Sequence, residues 1–352
     1  MTLDDLTQTT GEWLRGVGPL CDVVISSRIR LARNLAGQPF LSTATPAERT
    51  EIYRTVADAF AATTMGKDSV LIDVNGADPI DQEVLVERHL VSRQHVSAEG
   101  SRGVTVSSDE TRALMINEED HLRMQALRSG MQLDAVWTDV NAMDDALGAK
   151  LPFAFDRKLG FLTACPTNVG TGIRVSVMLH LPALKITKEI ERVARAARDL
   201  RLAVRGMLGE GTDVVGDLYQ ISNQTTLGKS EPEIIKSFSE QIIPKIVEYE
   251  RTARDSLVHS NPHTLDDRIW RAHGILSNAR RITNEETQML LSIIRMGIHL
   301  ERYTVLDVPT LNELFLHTQP AHLQKRNGRA LSEDERDVLR AEYLRTRFGH
   351  AA

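Results

Sequence analysis

Cysteine is nearly missing: Cys21 and Cys165 are the only two in 352 residues. They lie far apart and outside any CxxC spacing, so the pattern excludes a disulfide framework and a Cys-based zinc site and implies a reducing compartment. Lysine is scarce as well. Nine lysines leave 33 of the 42 basic residues as arginine, the side chain suited to two-pronged binding of oxyanions, although high genomic G+C content produces the same bias. Long apolar runs are absent, none approaching the roughly 18 residues that span a bilayer, and the acidic start MTLDDL is no signal peptide. A cytoplasmic protein without a membrane partner is expected. The net charge of −6 argues against a nucleic-acid partner, and no helix-turn-helix is recognisable. Neither a Gly-Lys-Ser/Thr loop nor a GxGxxG turn opening a helix is present, and there is no internal repeat or low-complexity tract.

What is there is 41% hydrophobic and 26% charged residues, enough for a sizeable core and two domains. The expected division is a lead-in segment at 1–20, a first domain at 21–258 and a helical domain at 259–352. Periodicity predicts a short lead-in helix, a strand from Val23 through SSRIRLAR, a helix from Pro46 to about Met65 and a strand at 70–74. Residues 81–89 read as a helix or an extended segment. A hairpin follows at 103–106 and 112–116, and then helices at 133–149 and 187–199. Strands at 202–204 and 217–222 come next, before a long helical stretch at 231–259 that Pro244 kinks or breaks. Beyond Asn261–Pro262 the helices are placed at 264–282, 284–301, 309–318 and 332–347, the last opened by a capping box of Ser332 and Glu335. The fold class is α/β of the α+β kind, with a sheet flanked by helices.

Four stretches carry possible chemistry. In FLTACPTNVGTGIRVSVMLHL (161–181) an apolar run, a Pro/Asn/Gly loop and an alternating run read most simply as a hairpin. Cys165 and Arg174 flank a loop rich in backbone N–H groups, which suits an anion; taken alone, Cys165 reads as a buried structural thiol. In SSRIRLAR, Arg28 and Arg30 point to one side and Ile25, Ile29 and Leu31 to the other. The run NEEDHLRMQ (117–125) reads as a strand whose polar face carries Glu119, His121 and Arg123; its acids Glu118, Glu119 and Asp120 read either as a solvated turn or, set directly after an apolar strand, as the rim of a cleft. RGMLGEG (205–211) reads as a glycine loop carrying Arg205 and Glu210. His89 by itself reads as a surface or satisfied histidine rather than a ligand. RDVLRA (336–341), taken alone, reads as an Asp–Arg pair on a solvated helix face.

Taken together and in this order, SSRIRLAR, NEEDHLR, CPTNVGTGIR and VRGMLGEG resemble the ATP:guanido phosphotransferases, or phosphagen kinases, the family of creatine kinase and arginine kinase. The resemblance runs over residues 21–255, and NEEDHLR and CPTNxGT are its most specific parts. Three departures from the small-molecule kinases stand out. Only residues 1–20 precede the first Arg strand, Met178 stands where those enzymes usually carry His, and an extra helical domain with RDVLRA follows. These features match the bacterial branch that phosphorylates arginine side chains of proteins, in which RDxxRA recognises phosphoarginine.

The resemblance implies a phosphagen-kinase-like catalytic domain with a mostly antiparallel sheet, followed by a small all-helical domain. It implies an ATP-dependent transferase in which Arg28, Arg30, Arg123, Arg174 and Arg205 clamp the nucleotide phosphates. Ser26, Ser27, Ile29, His89, Val175, Ser176, Val177, Met178, Gly206, Met207, Leu208, Gly209 and Glu210 complete the nucleotide segments. Glu119 and Glu210 are the implied carboxylates, Glu119 the general base, and Cys165 is the implied thiolate beside the guanidinium. Mg²⁺ is held mainly through ATP, with no metal-binding residues of the protein assigned. Arg336, Asp337, Arg340 and Ala341 form an implied allosteric phosphoarginine site. Implied partners are protein substrates, a zinc-containing activator, a stress-gene repressor and a Clp-type unfoldase that degrades the marked proteins in stress. Apolar stripes on the terminal helices point to a homodimer. The competing readings are a free-arginine kinase and a phosphoarginine-reading adaptor without activity.

Overall fold

The computed structural model describes residues 10–206 and 215–349. Its frame is an eight-stranded sheet built from β1 (Val24–Arg33), β2 (Ser69–Asp73), β3 (Gly103–Ser107), β4 (Arg112–Ile116) and β5 (Leu122–Ser129). After a short pair, β6 (Phe155–Asp156) and β7 (Gly160–Phe161), the sheet is completed by β8 (Ile173–His180), β9 (Leu202–Arg205) and β10 (Leu218–Asn223). The spatial order is β2-β3-β4-β5-β1-β8-β10-β9, and every neighbouring pair is antiparallel. β1 therefore lies at the centre, paired on both sides.

The central strands β1, β5 and β8 alternate between two faces, and one of these faces is mainly apolar. Ile29 and Leu31 of β1, Leu122, Met124 and Ala126 of β5 and Val175 and Val177 of β8 are buried in the main core. Helices α1 (Pro46–Ala61) and α4 (Leu133–Gly148) cover it with Ile52, Val56, Val140 and Met143. The opposite face is covered at its β2–β4 end, where α2 (Pro79–Glu87) and α3 (Arg93–Ser97) flank a second core of Val104, Val106, Met115, Leu85 and Val86, and at the end of β8, where His180 meets Ser292 of the C-terminal helical part. The polar middle of that face is left to other uses.

After β8 come α5 (Pro182–Ile186) and α6 (Ile190–Asp199). Beyond β10, α7 (Glu231–Lys236) continues through a π-helical turn at Ser237–Ile242 into α8 (Ile243–Ser260). The bend expected at Pro244 is thus taken up one turn earlier, where the wider turn absorbs it. The C-terminal part is helical throughout: α9 (Pro262–Asn278), α10 (Asn284–His299), α11 (Val308–His317), α12 (Pro320–Asn327) and α13 (Glu333–Gly349). It docks through buried polar contacts as well as apolar ones. Arg295 of α10, fully buried, donates to Cys21 O at 2.6 Å, Asp22 O at 3.1 Å and His180 Nδ1 at 3.0 Å, which ties it to the start of β1 and the end of β8.

Four sequence expectations are corrected. Residues 161–181 do not form a hairpin: β7 pairs with β6, Phe161 bridges Gly170, and β8 pairs with β1 and β10. Residues 117–121 are a tight turn and not strand, because left-handed Asn117 (φ 61°) turns its amide onto His121 O at 3.0 Å. The lead-in helix is, among the described residues, a single turn at Glu12–Leu14. Helix α12 was not foreseen, its eight residues being too few for a periodic signal. The capping box of Ser332 and Glu335 is present, with N–H to side-chain distances of 2.8 and 3.3 Å.

Candidate active site

Residues directly opposite in an antiparallel pair point to the same side of a sheet. Arg30 faces Arg174 on β8 and Gln125 on β5; Arg28 faces Ser176, and Arg123 lies opposite Ala32. Across β10, Met178 faces Gln220, Ser176 faces Ser222, and Gln220 faces Arg205. The five arginines therefore rise from four strands onto the polar middle of the face opposite the main core. Side-chain bonds hold three of them upright: Arg28 Nη2 to Gln220 Oε1 at 2.5 Å, Arg174 Nη2 to Ser222 Oγ at 3.1 Å, and Arg30 Nη2 to Ser176 Oγ at 3.5 Å.

Crowding like charges in a buried setting is costly. Burial, then the neighbouring Arg123 and Arg174, pull Arg28 down to about 10. Burial and Arg28, Arg123 and Arg174 pull Arg30 well below its ordinary range. Among the described residues the buried Nε of Arg30 has no hydrogen-bond partner. Such a face fits a polyanion, which would satisfy the donors and offset the repulsion.

His89 and Trp13 stand at the edge of this face. Their rings meet edge to face at 4.5 Å, and together with Ser26, Arg28, Leu127, Met178 and Gln220 they line a small hollow. Burial, then Arg28 and Arg30, hold the His89 imidazole down at about 3, so it is neutral. Its Nε2 is a buried atom without a hydrogen-bond partner among the described residues. The reading of His89 as a surface or satisfied histidine is corrected accordingly. Trp13 was missed by the sequence reading, its only signal being one large aromatic in a polar lead-in. Gln220 was missed too, though its place opposite Met178 follows from the alternation of β10.

The acidic turn divides its labour residue by residue. Asn117 donates to Arg49 O and Ser101 O, both at 2.8 Å. Glu118 accepts from Ser92 Oγ at 2.6 Å, Glu119 N at 2.8 Å and Arg123 Nη1 at 2.5 Å. Burial raises its carboxyl, but Arg123 and these bonds outweigh burial and hold it at about 2. Asp120 accepts from Asn34 Nδ2 at 2.5 Å and Ala164 N at 2.7 Å, while burial keeps its carboxyl raised. His121 takes Leu35 N at 3.0 Å and gives Nε2–H to Pro39 O at 2.9 Å. Those four side chains are buried; Glu119 is the half-exposed one.

The bond from Ala164 N to Asp120 also brings Cys165, next to Ala164, toward Glu119, next to Asp120. Cys165 is half-exposed, with Sγ 3.0 Å from Thr167 Oγ1. Its loop is pinned from below by Thr226 Oγ1, which donates to Thr167 O at 3.0 Å and Val169 O at 2.7 Å. Gly172 (φ 65°) closes the loop where a Cβ would sit 2.6 Å from Ala32 O.

Not every residue of the predicted nucleotide segments lines this face. Ser27, Ile29, Val175 and Val177 point to the core side, and Ser27 Oγ is spent on Gly130 O and Gln132 N at 2.8 and 3.1 Å. Gly206 is buried at the end of β9. Met207, Leu208, Gly209 and Glu210 lie outside the described residues. RDVLRA is no solvated face: Asp337, Arg340 and Ala341 are buried, and Arg336 is half-buried. Arg340 donates to Thr318 O at 2.8 Å, Ile282 O at 2.9 Å and Asp337 at 2.7 Å, while Arg336 donates to Leu331 O at 2.9 Å.

Among known proteins, residues 51–253 match the family described as "ATP:guanido phosphotransferase, C-terminal catalytic domain", and residues 262–352 match the "Protein-arginine kinase McsB C-terminal domain". A protein-arginine kinase of Halothermothrix orenii is 45% identical over 350 residues, covering 99% of both chains. One of Bacillus subtilis is 43% identical over 339 residues, covering 96% of this chain and 93% of its own. Among solved structures, lombricine kinase is 27% identical with a TM-score of 0.58, over 71% of this chain and 70% of that one. The duplicated taurocyamine kinase of Schistosoma mansoni, with bound transition-state analogue components, is 25% identical with a TM-score of 0.61, over 69% of this chain and 36% of that one. On these matches, and with its arginine-lined antiparallel sheet, the chain belongs to the ATP:guanido phosphotransferase family, within the group of protein-arginine kinases.

Proposed function

We propose that the protein transfers the γ-phosphoryl group of ATP to arginine side chains of proteins. The observation that carries this reading is the face of Arg28, Arg30, Arg123, Arg174 and Arg205 beside half-exposed Glu119. Phosphoryl transfer asks the protein for positioning and charge compensation. The arginines hold the ATP phosphates, each through a charge-assisted bond worth roughly 1.5–3 kcal/mol, and the His89–Trp13 hollow holds the base. Glu119 orients the substrate guanidinium and takes a proton from the attacking nitrogen as its lone pair meets the γ-phosphorus. ADP leaves, and a phosphoramidate N–P bond remains on arginine. Cys165 lies beside the guanidinium on the other side, and Glu210 is the second carboxylate of the proposal. Mg²⁺ would be held mainly through the nucleotide and, when bound, would supply charge neutralisation; among the described residues no His/Cys/Asp/Glu group is placed to hold it.

The same proposal includes the division into 1–20, 21–258 and 259–352 and the phosphoarginine site at Arg336, Asp337, Arg340 and Ala341. It extends to delivery of marked proteins to a Clp-type unfoldase in stress, a zinc-containing activator, a stress-gene repressor as partner, a cytoplasmic location and a homodimer. The sequence resemblance supports these parts.

The test is product analysis after incubation with Mg·ATP and a mixture of free arginine and an unfolded Arg-rich protein, with Glu119→Gln in parallel. Acid-labile label on protein arginine is expected from wild type. Glu119→Gln should lose about 10²–10⁴ in turnover with nucleotide affinity nearly unchanged. Label that survives acid on Ser, Thr or Tyr, label confined to free arginine, or normal turnover by Glu119→Gln would overturn the reading.

A further inference from the structure

Helix α2 ends at Glu87, and the next two residues are Arg88 and His89, the last of these at the edge of the arginine face. His89 has a left-handed backbone, φ 60°, a conformation that non-glycine residues hold only where their surroundings impose it. One restraint comes from the sheet, Gln125 Nε2 donating to His89 O at 2.8 Å. The end of its own helix adds two, His89 N donating to Val86 O at 2.9 Å and Leu90 N to Leu85 O at 3.0 Å, and the two residues before His89 are held by the C-terminal helical part and the β3–β4 turn. Glu87 receives the first turn of α12, accepting from Ala321 N at 2.8 Å and from His322 N at 3.1 Å and Nδ1 at 2.7 Å. Arg88 donates from Nη1 to His322 Nε2 at 3.3 Å and pairs with Glu110 on the β3–β4 turn. His322 is thus a neutral imidazole that donates from one nitrogen to Glu87 and accepts at the other from Arg88. Glu87, Arg88, Glu110 and His322 are all buried. A turn farther along, Lys325 meets Asp81 at 2.7 Å, so α12 lies along α2.

We propose that α12 sets the nucleotide site from outside the catalytic sheet, with Glu87 and His322 as positioning residues. By gripping the two residues that precede His89, they hold its backbone in the left-handed form that turns the ring toward Trp13 and Arg28. The grip reaches further back. Arg340 of RDVLRA donates to Thr318 O, two residues before Pro320 opens α12, so the motif helix braces the same turn. The proposal rests on the reading of His89 as a nucleotide contact.

The test uses the full chain with Mg·ATP and an unfolded protein substrate. His322→Ala, His322→Asn, Glu87→Gln, His89→Ala and the double variant His322→Ala/His89→Ala are compared for KM, kcat, nucleotide affinity by calorimetry and Tm. His322→Ala should raise KM for ATP and weaken nucleotide binding on the order of 5- to 30-fold, with kcat little changed. His322→Asn, which keeps a donor toward Glu87, should restore most of it. The double variant should be no worse than His89→Ala. Glu87→Gln preserves volume and reports the same effect where His322→Ala does not fold. A fall in Tm with unchanged nucleotide affinity, or additive losses in the double variant, would overturn the proposal while leaving the kinase reading intact. Normal nucleotide affinity in His89→Ala would overturn the role of His89, and this proposal with it.

Discussion

Glu118 and Glu119 are adjacent, have the same side chain and do opposite work. Glu119 is half-exposed at the open face; Glu118 is buried under it, fixed by Ser92 Oγ and Glu119 N and holding Arg123 through a third bond. Because its carboxyl is held at about 2 when folded and titrates near 4.3 when unfolded, Glu118 contributes stability that is complete above about pH 5 and drains away as pH falls toward 2. Glu118→Gln should therefore be less stable at pH 7 by about 3 kcal/mol, with a shallower loss on acidification. Melting curves of wild type and variant from pH 7 to 3 check this. Parallel curves would mean that Glu118 is not the ionised anchor of Arg123.

At the scale of elements, the loop between β7 and β8 shows how irregular backbone is held in place. Phe161 N donates to Gly170 O at 2.8 Å, and Ala32 N donates to Gly172 O at 3.0 Å. Arg33 adds a bond to Thr171 O at 2.9 Å and lies over the Phe161 ring at 3.5 Å. Gly172 combines a positive φ with no room for a side chain, so Gly172→Ala must shift either the loop or β1. A cost of about 1–3 kcal/mol is expected, together with a fall in kcat/KM, because Cys165 rides on the same loop. Calorimetry and steady-state kinetics give the two numbers. A destabilised variant with normal kcat/KM would separate the loop from the chemistry.

For the whole molecule, the main question is how the helical part and the sheet act together, and RDVLRA is the place to probe it. Its two arginines are not equivalent. Arg340 is buried, with its donors on Thr318 O, Ile282 O and Asp337, so Arg340→Ala leaves buried Asp337 with the longer contact to Arg281 at 3.5 Å and two carbonyls without their donor, and should cost about 3 kcal/mol. Arg336 is half-buried with one bond to Leu331 O, and Arg336→Ala should change stability by only about 0.5–1.5 kcal/mol. If the motif binds phosphoarginine, Arg336→Ala should weaken free phosphoarginine about ten- to a hundredfold in a well-folded protein. Calorimetric titration of that variant checks this, and wild-type affinity would remove Arg336 from the site.

The sequence by itself determined where most strands of the main sheet lie, the grouping of Arg28 and Arg30 on one side of the first, and the family. An alternation of two placed Arg28 and Arg30 together and opposite Ile29 and Leu31, and four motifs in order carried the family. These signals are local, and local signals survive without a fold. Tertiary structure alone decided the rest. Alternation cannot tell that residues 117–121 turn; that follows from a bond between Asn117 and His121 and from Asp120 reaching Ala164 across the site. Nor can a sequence show that Glu87 belongs with His322, 235 positions away, or that Arg340 is buried rather than solvated. Such pairings depend on which surfaces meet when the helices dock, and they carry no period along the chain.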